Sequence, residues 1–424
     1  MNKLSYIDYD IKMEYQIPRI LHLKEFGYSF PSHMILGLVT YCDQFCKSCY
    51  AGGYRFNPNI HLTASLDVLK NVLRKAARFG RQYNGKHPYY SDKTLGLKAL
   101  TLVGSGEPLL YPYLKELVDF AHKEAGLEIG LYTNGNNLRD GIIRPGIDTV
   151  PQDIATIVLE NFRFVRISLD AASPETHAKE RGVKGQFKRI IESVADLVER
   201  RNSLGCRDPS IGVQFTVDDD NIQEIEKVAK LAKRMGVNYL AYKPKYVPWH
   251  IRKERMTNLS FKDVEKQLIK SLSYADDNFY VHGKFDQFLT AWGPDYYNTG
   301  QNYTVCRNVW LSAYLDIDVD SVDKKQADLR AFICANKNKE DRSADGKFLW
   351  SEGPITSTVD FEDFWIKRMP KLINRIDINK CISGCKNDPF NRIIENKIKL
   401  NTGKLCSSIR DIDVAPEELH VMYI

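Results

Sequence analysis

The sequence predicts an α/β chain built on a parallel sheet, followed by a smaller cysteine-bearing region. Three observations predict it. Six short apolar segments alternate with longer helical ones between residues 34 and 243. No run of about eighteen apolar residues interrupts them, so no membrane-spanning helix is available. After Lys243 the alternation stops, and five of the nine cysteines lie from Cys306 onward.

The elements follow in order. Met34–Thr40 (MILGLVT) is a continuous apolar run, as buried parallel strands are, and Thr63–Arg78 behind it has helical spacing. Leu97–Gly104 is the second strand, with Leu114–Glu124 as its helix, and Leu127–Thr133 is the third, followed by Pro151–Asn161. Phe164–Leu169 precedes the amphipathic stretch Gln186–Arg201. Ile211–Val217 precedes Ile222–Met235, and Val237–Lys243 completes the set. Strand–helix repetition implies right-handed crossovers in a parallel sheet. Six units are too few for a closed eight-unit barrel, so an open doubly wound sheet and a three-quarter barrel both fit. Either places ligands at the carboxyl ends of the strands. The chain therefore divides into an extension, 1–33, the strand–helix array, 34–245, and a C-terminal region, 246–424.

A content of 43% hydrophobic and 27% charged residues excludes collagen, coiled coil and wholesale disorder. The N-terminus has no basic segment leading into an apolar block, so it does not read as a signal peptide, and a cytoplasmic location is expected. The net charge of +6 is spread along the chain, so no nucleic-acid partner and no membrane are expected. In a reducing cytosol, clustered cysteines read as metal ligands or catalytic thiols.

Cys42, Cys46 and Cys49 form C-x3-C-x2-C directly after the first strand. Three thiolates in so short a loop can converge on one soft metal centre. Zinc wants a fourth cysteine or histidine, and the nearest histidines, His22, His33 and His61, lie outside the loop. A [4Fe–4S] cubane on three cysteines leaves one iron open. The next strands end in Gly104-Ser105-Gly106-Glu107-Pro108, Tyr132-Thr133-Asn134-Gly135 and Ser168-Leu169-Asp170. Glycines let a backbone approach a ligand, carbonyl and carboxylate oxygens accept from an ammonium, and short polar side chains suit ribose hydroxyls or a carboxylate. Gln214 on the fifth strand and Lys243 at the end of the sixth point to the same rim or to the interior. Asp170 and Ser173 read equally well as caps of a helix opening at Pro174.

These motifs, in this order on strand ends, resemble the radical S-adenosylmethionine (SAM) superfamily. The resemblance implies a partial (β/α)6 TIM-like barrel. It implies a [4Fe–4S] cluster on Cys42, Cys46 and Cys49, with SAM near Gly104, Ser105, Gly106, Glu107, Asn134, Ser168, Asp170 and Gln214. It also implies the chemistry: one electron cleaves SAM to methionine and a 5′-deoxyadenosyl radical, which abstracts hydrogen from a substrate. An electron donor such as flavodoxin or ferredoxin is then expected. Three positions depart from the family pattern: Ser48 replaces an aromatic, Ser105 replaces a glycine, and Ala171 follows Asp170 where glycine is usual.

Cys306, Cys334, Cys381 and Cys385 match the ligand number of a closed [4Fe–4S] cluster, and equally that of a four-thiolate zinc. Cys306 opens a segment that reads as a strand leading into a hairpin. The arrangement resembles the twitch domain, a shortened SPASM domain, which implies one auxiliary [4Fe–4S] cluster. Cys406 is an alternative fourth ligand, and Cys206 reads as a plain thiol. Only 33 residues precede the first strand, too few for the peptide-recognition domain of many relatives. A small-molecule substrate is therefore expected, or a peptide presented by a separate protein. The segment around Lys245, Trp249 and His250 resembles sugar- and nucleotide-modifying members, with Tyr242 a further candidate. The expected reaction is an oxidation or another radical transformation. The alternatives are a peptide maturase forming thioether or carbon–carbon links, a non-enzymatic zinc module, and an RNA-modifying enzyme. The zinc module leaves Cys42–Cys49 unexplained, and the RNA enzyme would want a basic tail.

Overall fold

The computed structural model describes residues 9–47, 49, 60–86, 90, 95–139, 153–245, 259–292, 303–334, 347, 349–356, 361–381, 385–400 and 423–424. Ser48, Trp249, His250 and Cys406 lie outside the described residues. The strands are β1 (His33–Leu36), β2 (Ala99–Leu102), β3 (Glu128–Thr133), β4 (Phe164–Ser168), β5 (Ser210–Val217), β6 (Tyr239–Pro244), β7 (Tyr280–His282), β8 (Ser312–Ile317), β9 (Leu329–Phe332) and β10 (Pro354–Ile355). They form one sheet in the order β10-β9-β8-β1-β2-β3-β4-β5-β6-β7. Every pairing from β8 through β1 to β7 is parallel. β9 and β10 add antiparallel at one edge. Among the described residues β7 and β10 each have one neighbour, so the sheet is not closed. This is the expected partial barrel, with the first six strands in sequence order.

Helices on the outside hold the sheet in shape. Leu66–Arg78 buries Val68, Leu69, Val72, Leu73 and Ala76, the stripe that helical periodicity predicts. Each such side chain contributes about 2 kcal/mol of apolar burial. The helix starts where Ser65 Oγ accepts from the Val68 amide at 3.4 Å. Asp153 and Ser173 cap Ile154–Asn161 and Pro174–Arg181 in the same way. Such caps are worth about 1 kcal/mol each. Asp153 moves the start of its helix inward from the expected Pro151.

The two faces of the sheet differ. On β4, Val165 and Ile167 are buried under the helices, while Arg166 and Ser168 are half-buried. On β5, Val213, Phe215 and Val217 are buried, while Gln214 and Thr216 are half-buried. Side chains alternate across a strand, so the half-buried set points inward. It lines the barrel interior, whose foot is filled by Tyr423 packed on His33 and Phe164. Gly212 sits there because a Cβ would meet the Tyr239 ring at 2.1 Å.

The structure differs from expectation beyond residue 245. The alternation continues through Phe261–Leu272, β7, Phe285–Trp292 and β8, so the sheet runs across the expected domain boundary. β7 has only three residues, with Val281 alone fully buried, and gives too short an apolar signal to read from sequence. β8 does lead into the expected hairpin, with β9. Its parallel pairing with β1, His33 opposite Ser312, is a long-range contact that no local pattern encodes. Among the described residues, no helix is long and apolar enough to cross a membrane.

Candidate functional site

The loop after β1 carries Cys42, Cys46 and Cys49 to the carboxyl ends of the strands. Its hub is Asp43, whose carboxylate accepts from Asn134 Nδ2 at 2.6 Å, Asn136 Nδ2 at 2.7 Å and Asn137 Nδ2 at 2.8 Å. All three asparagines come from the turn after β3. The same Asn134 amide reaches Cys42 Sγ at 3.7 Å. On the other side, the Phe45 and Lys47 amides donate to the Arg181 and Glu180 carbonyls, each at 2.9 Å. Arg181 Nη1 approaches Cys46 Sγ at 3.2 Å.

The turn after β2 packs beneath this loop. The Glu107 amide donates to the Tyr41 carbonyl at 2.9 Å. A Cβ on Gly106 would stand 2.3 Å from Tyr41 O and 2.5 Å from Val39 O, so only glycine permits this approach. The Glu107 carboxylate is buried and turned inward. It accepts from the Thr133 hydroxyl at 2.5 Å, the Asn134 amide at 2.8 Å and the Leu109 amide at 3.2 Å. Burial, reinforced by the nearby Asp43, pushes its pKa up to about 7. Glu107 thus ties the turn after β2 to the end of β3. Ser105 Oγ donates to Asp316 on β8 at 2.6 Å, which ties the turn after β2 to β8, across β1.

The other expected residues divide into two groups. Ser168 and Gln214 are neighbours in the β4–β5 register and face the interior, half-buried. Asp170, at φ 54, accepts from the Thr216 amide at 2.6 Å and lies 3.4 Å from Arg181 Nη1, so it fastens strand ends together. Lys243 faces the interior and is half-buried. Tyr242 points the other way, fully buried under the helices, where its hydroxyl donates to the Ile225 carbonyl at 2.5 Å. It is no candidate for chemistry in the interior. Lys245 pairs with Asp218 at 2.5 Å. Cys206 is exposed. Sequence reasoning missed Asp43, Asn136, Asn137 and Arg181. The signal available was the TNGNN run next to a cysteine loop that carries an acid.

The second cysteine group stands at the opposite end. Cys306 precedes β8 and Cys334 follows β9, which places both near the amino end of β1. Cys306 is buried and accepts from Asn391 Nδ2 at 3.2 Å, and the Asn387 amide donates to Cys385 Sγ at 3.4 Å. Burial pushes the Cys306 thiol up, and the charges of Cys385, Cys334 and Cys381 add to the shift.

Both groups fit iron–sulfur clusters in their donor chemistry. Each presents thiols with N–H donors aimed at sulfur, the feature that stabilises a cluster's negative charge. Arg181 Nε and Nη2 beside Cys46 are buried with no hydrogen-bond partner among the described residues. Thiolates on a single tetrahedral zinc sit within about 4 Å of one another. Among the described residues, the group of three metal-ligating side chains within 4.8 Å is Glu180, Asp218 and Asp220, whose charges are met by Lys47, Lys179 and Lys245.

The model of the radical SAM superfamily matches residues 37–232. Residues 37–232 belong to the radical SAM superfamily. Its enzymes use a [4Fe–4S] cluster and SAM. The chain is 27% identical over 199 residues to the AdoMet-dependent heme synthase of Methanosarcina barkeri, covering 47% of this chain and 46% of that protein. It is 24% identical over 220 residues to the mycofactocin maturase MftC of Mycolicibacterium smegmatis, covering 52% of this chain and 46% of that one. The chain thus spans about half the length of the curated relatives it matches. Its fold is similar to that of Streptococcus suis SuiB bound to precursor peptide SuiA, with a TM-score of 0.55 and 14% identity, covering 84% of this chain and 70% of that one.

Proposed function

We propose that this chain is a radical SAM maturase that oxidatively modifies a peptide. One observation carries the reading: two cysteine groups stand at opposite ends of one partial barrel, with polar side chains between them. A substrate in the interior lies between a centre that starts radical chemistry and one that can accept an electron from the product. Cys42, Cys46 and Cys49 hold the first cluster, and Cys306, Cys334, Cys381 and Cys385 the auxiliary one. When bound, the first cluster and SAM supply a 5′-deoxyadenosyl radical. The protein does the rest. Asp43 and its asparagines fix the cysteine loop, Gly106 lets the turn after β2 approach it, and Ser168 and Gln214 present polar atoms to bound SAM or substrate. A flavodoxin- or ferredoxin-type donor supplies the electron.

The peptide reading draws on similarity to a mycofactocin maturase and on a fold shared with an enzyme that binds a precursor peptide. Both favour it over the sugar or nucleoside expected from sequence. The second reading, a small-molecule substrate, draws on the similarity to a heme synthase. The test is anaerobic incubation of the reconstituted chain with SAM, dithionite and short peptides encoded beside its gene. The expected product is 5′-deoxyadenosine with a peptide that has lost two hydrogens. Turnover of a tetrapyrrole with every peptide unchanged would replace the first reading by the second.

A further inference from the structure

The foot of the barrel is closed by two residues from far along the chain. Tyr423 and Ile424 belong to no strand or helix, yet they are only 7% and 5% exposed. The Tyr423 ring packs edge-on against His33 on β1, with ring centres 5.5 Å apart, and against Phe164 on β4 at 4.9 Å. Ala99 on β2 completes this apolar cluster, and Tyr132 on β3 borders it. Hydrogen bonds fix the backbone of the pair as well. Lys12 Nζ, from the helix Tyr9–Glu14, donates to the Tyr423 carbonyl at 2.6 Å. His33 Nδ1 lies 2.8 Å from the Ile424 carbonyl and Nε2 lies 2.8 Å from the Thr101 hydroxyl. A carbonyl only accepts, so Nδ1 carries the proton and Nε2 accepts from Thr101. Burial holds the His33 pKa down at about 3, which keeps the ring in this neutral form at ordinary pH. Ser312 Oγ on β8 adds a donor to the Ile424 carbonyl at 3.5 Å.

The wall above this floor is covered too. Phe164, Arg166 and Ser168 share the inner face of β4 in layers about 7 Å apart, two residues at about 3.3 Å each. The Phe164 ring lies over Gly130 on β3, where a Cβ would stand 2.3 Å from it. One layer higher, the Arg166 guanidinium sits 4.7 Å from the Tyr132 ring centre and 5.6 Å from that of Tyr239, and its Nε donates to the Tyr239 hydroxyl at 3.3 Å. From β3 to β6, rings and a guanidinium packed on one another therefore line the lower interior. Ser168 and Gln214 stand above them, towards the strand ends that carry the cysteine loop. A closed foot keeps water from reaching the reacting centre from below.

We propose that Tyr423 and Ile424 are a fixed floor that closes the amino end of the barrel, so that a substrate enters and leaves on the side of the strand carboxyl ends. A peptide then dips a side chain or a turn into the interior while both of its ends stay outside, and it is not threaded through. This rests on the radical SAM maturase reading and adds the substrate's route to it. Hydrogen–deuterium exchange on the full, reconstituted chain with SAM reads the floor. In the wild type, residues 31–36, 97–101 and 162–166 should be protected. Tyr423→Ala should speed their exchange at least about tenfold and leave residues 167–170 unchanged. Tyr423→Phe keeps the ring and should restore protection. Tyr242→Ala removes an equally buried tyrosine from the outer face and should leave the foot protected. The route is read with whichever peptide encoded beside the gene is modified, supplied free and as a linker between two folded domains. Its kcat/KM should agree within about threefold between the two forms, because neither end has to pass through the barrel. Fast exchange at the foot of the wild type, no change in Tyr423→Ala, an equal change in Tyr242→Ala, or turnover of the free peptide alone would overturn the proposal. Substrate-free 5′-deoxyadenosine formation is measured in parallel. Its absence from the wild type would sink the radical SAM reading, and its presence with every peptide unmodified would sink the maturase reading. In both cases the exchange pattern still decides whether the foot is closed.

Discussion

The two cysteine groups solve one problem by different means. The first packs three thiols into a single loop between Cys42 and Cys49, and the surrounding strand ends only hold that loop still. The second draws Cys306, Cys334, Cys381 and Cys385 from segments far apart in sequence, and a hairpin and a helix must assemble them. Short-range spacing makes the first site nearly independent of the fold. The second exists only once β8 has paired with β1 and β9, and the helix Asp388–Lys399 has brought Asn391 to Cys306.

The strongest way to break this comparison is to remove each group in turn. Cys42→Ala with Cys46→Ala and Cys49→Ala should lower bound iron from about eight to about four per chain and abolish 5′-deoxyadenosine formation. Cys306→Ala with Cys385→Ala should lower iron by the same amount while substrate-free 5′-deoxyadenosine formation persists. Iron analysis with EPR checks both, and bound zinc in place of the second iron set would refute the assignment of that group.

Asp43→Ala should come next. It leaves three amide donors without their acceptor and should cost about 3 kcal/mol in denaturant unfolding. The EPR signal of the first cluster should fade while that of the second is untouched. Gly106→Ala should cost about 2 kcal/mol, because the new Cβ would overlap Tyr41 O. Its effect should again be confined to the first cluster, and equal loss from both would show that the two ends are coupled through the sheet.

The smallest expected effect is a slope. Glu107 has a folded pKa raised from 4.5 to about 7. The folded state therefore holds this proton more tightly than the unfolded one. The stability it contributes is fully present below about pH 4.5 and is lost as pH rises through about 7. Glu107→Gln should remove that loss, at most about 1.4 kcal/mol per pH unit. Melting temperatures of the cluster-free wild type and variant between pH 5 and 8 would show it, and parallel curves would mean that Glu107 stays ionised.

Much of the site was legible before the fold. Cys42, Cys46, Cys49 and Gly106 are defined by spacing and by a turn, which are local properties. The roles of Glu107 and Asp170 were less legible. Both were expected at the ligand, and both accept backbone amides from neighbouring strand ends. An acid at a strand end can face a ligand or bond the next strand, and only the register decides which. Tyr242 and Lys243 show the same limit at a single step. Adjacent residues on a strand point to opposite faces, and one is sealed under a helix while the other lines the interior.

The sequence by itself determined six apolar strands, the helices between them and a three-cysteine loop at the first strand's end. Those features follow from periodicity and short spacing, which act between residues close along the chain. Tertiary structure alone decided that β7 and β8 extend the sheet, and that the second cysteine group stands at its opposite end. Each of these joins segments distant in sequence. What fixes them is parallel pairing and the inward or outward turn of a strand, set by burial across the whole sheet.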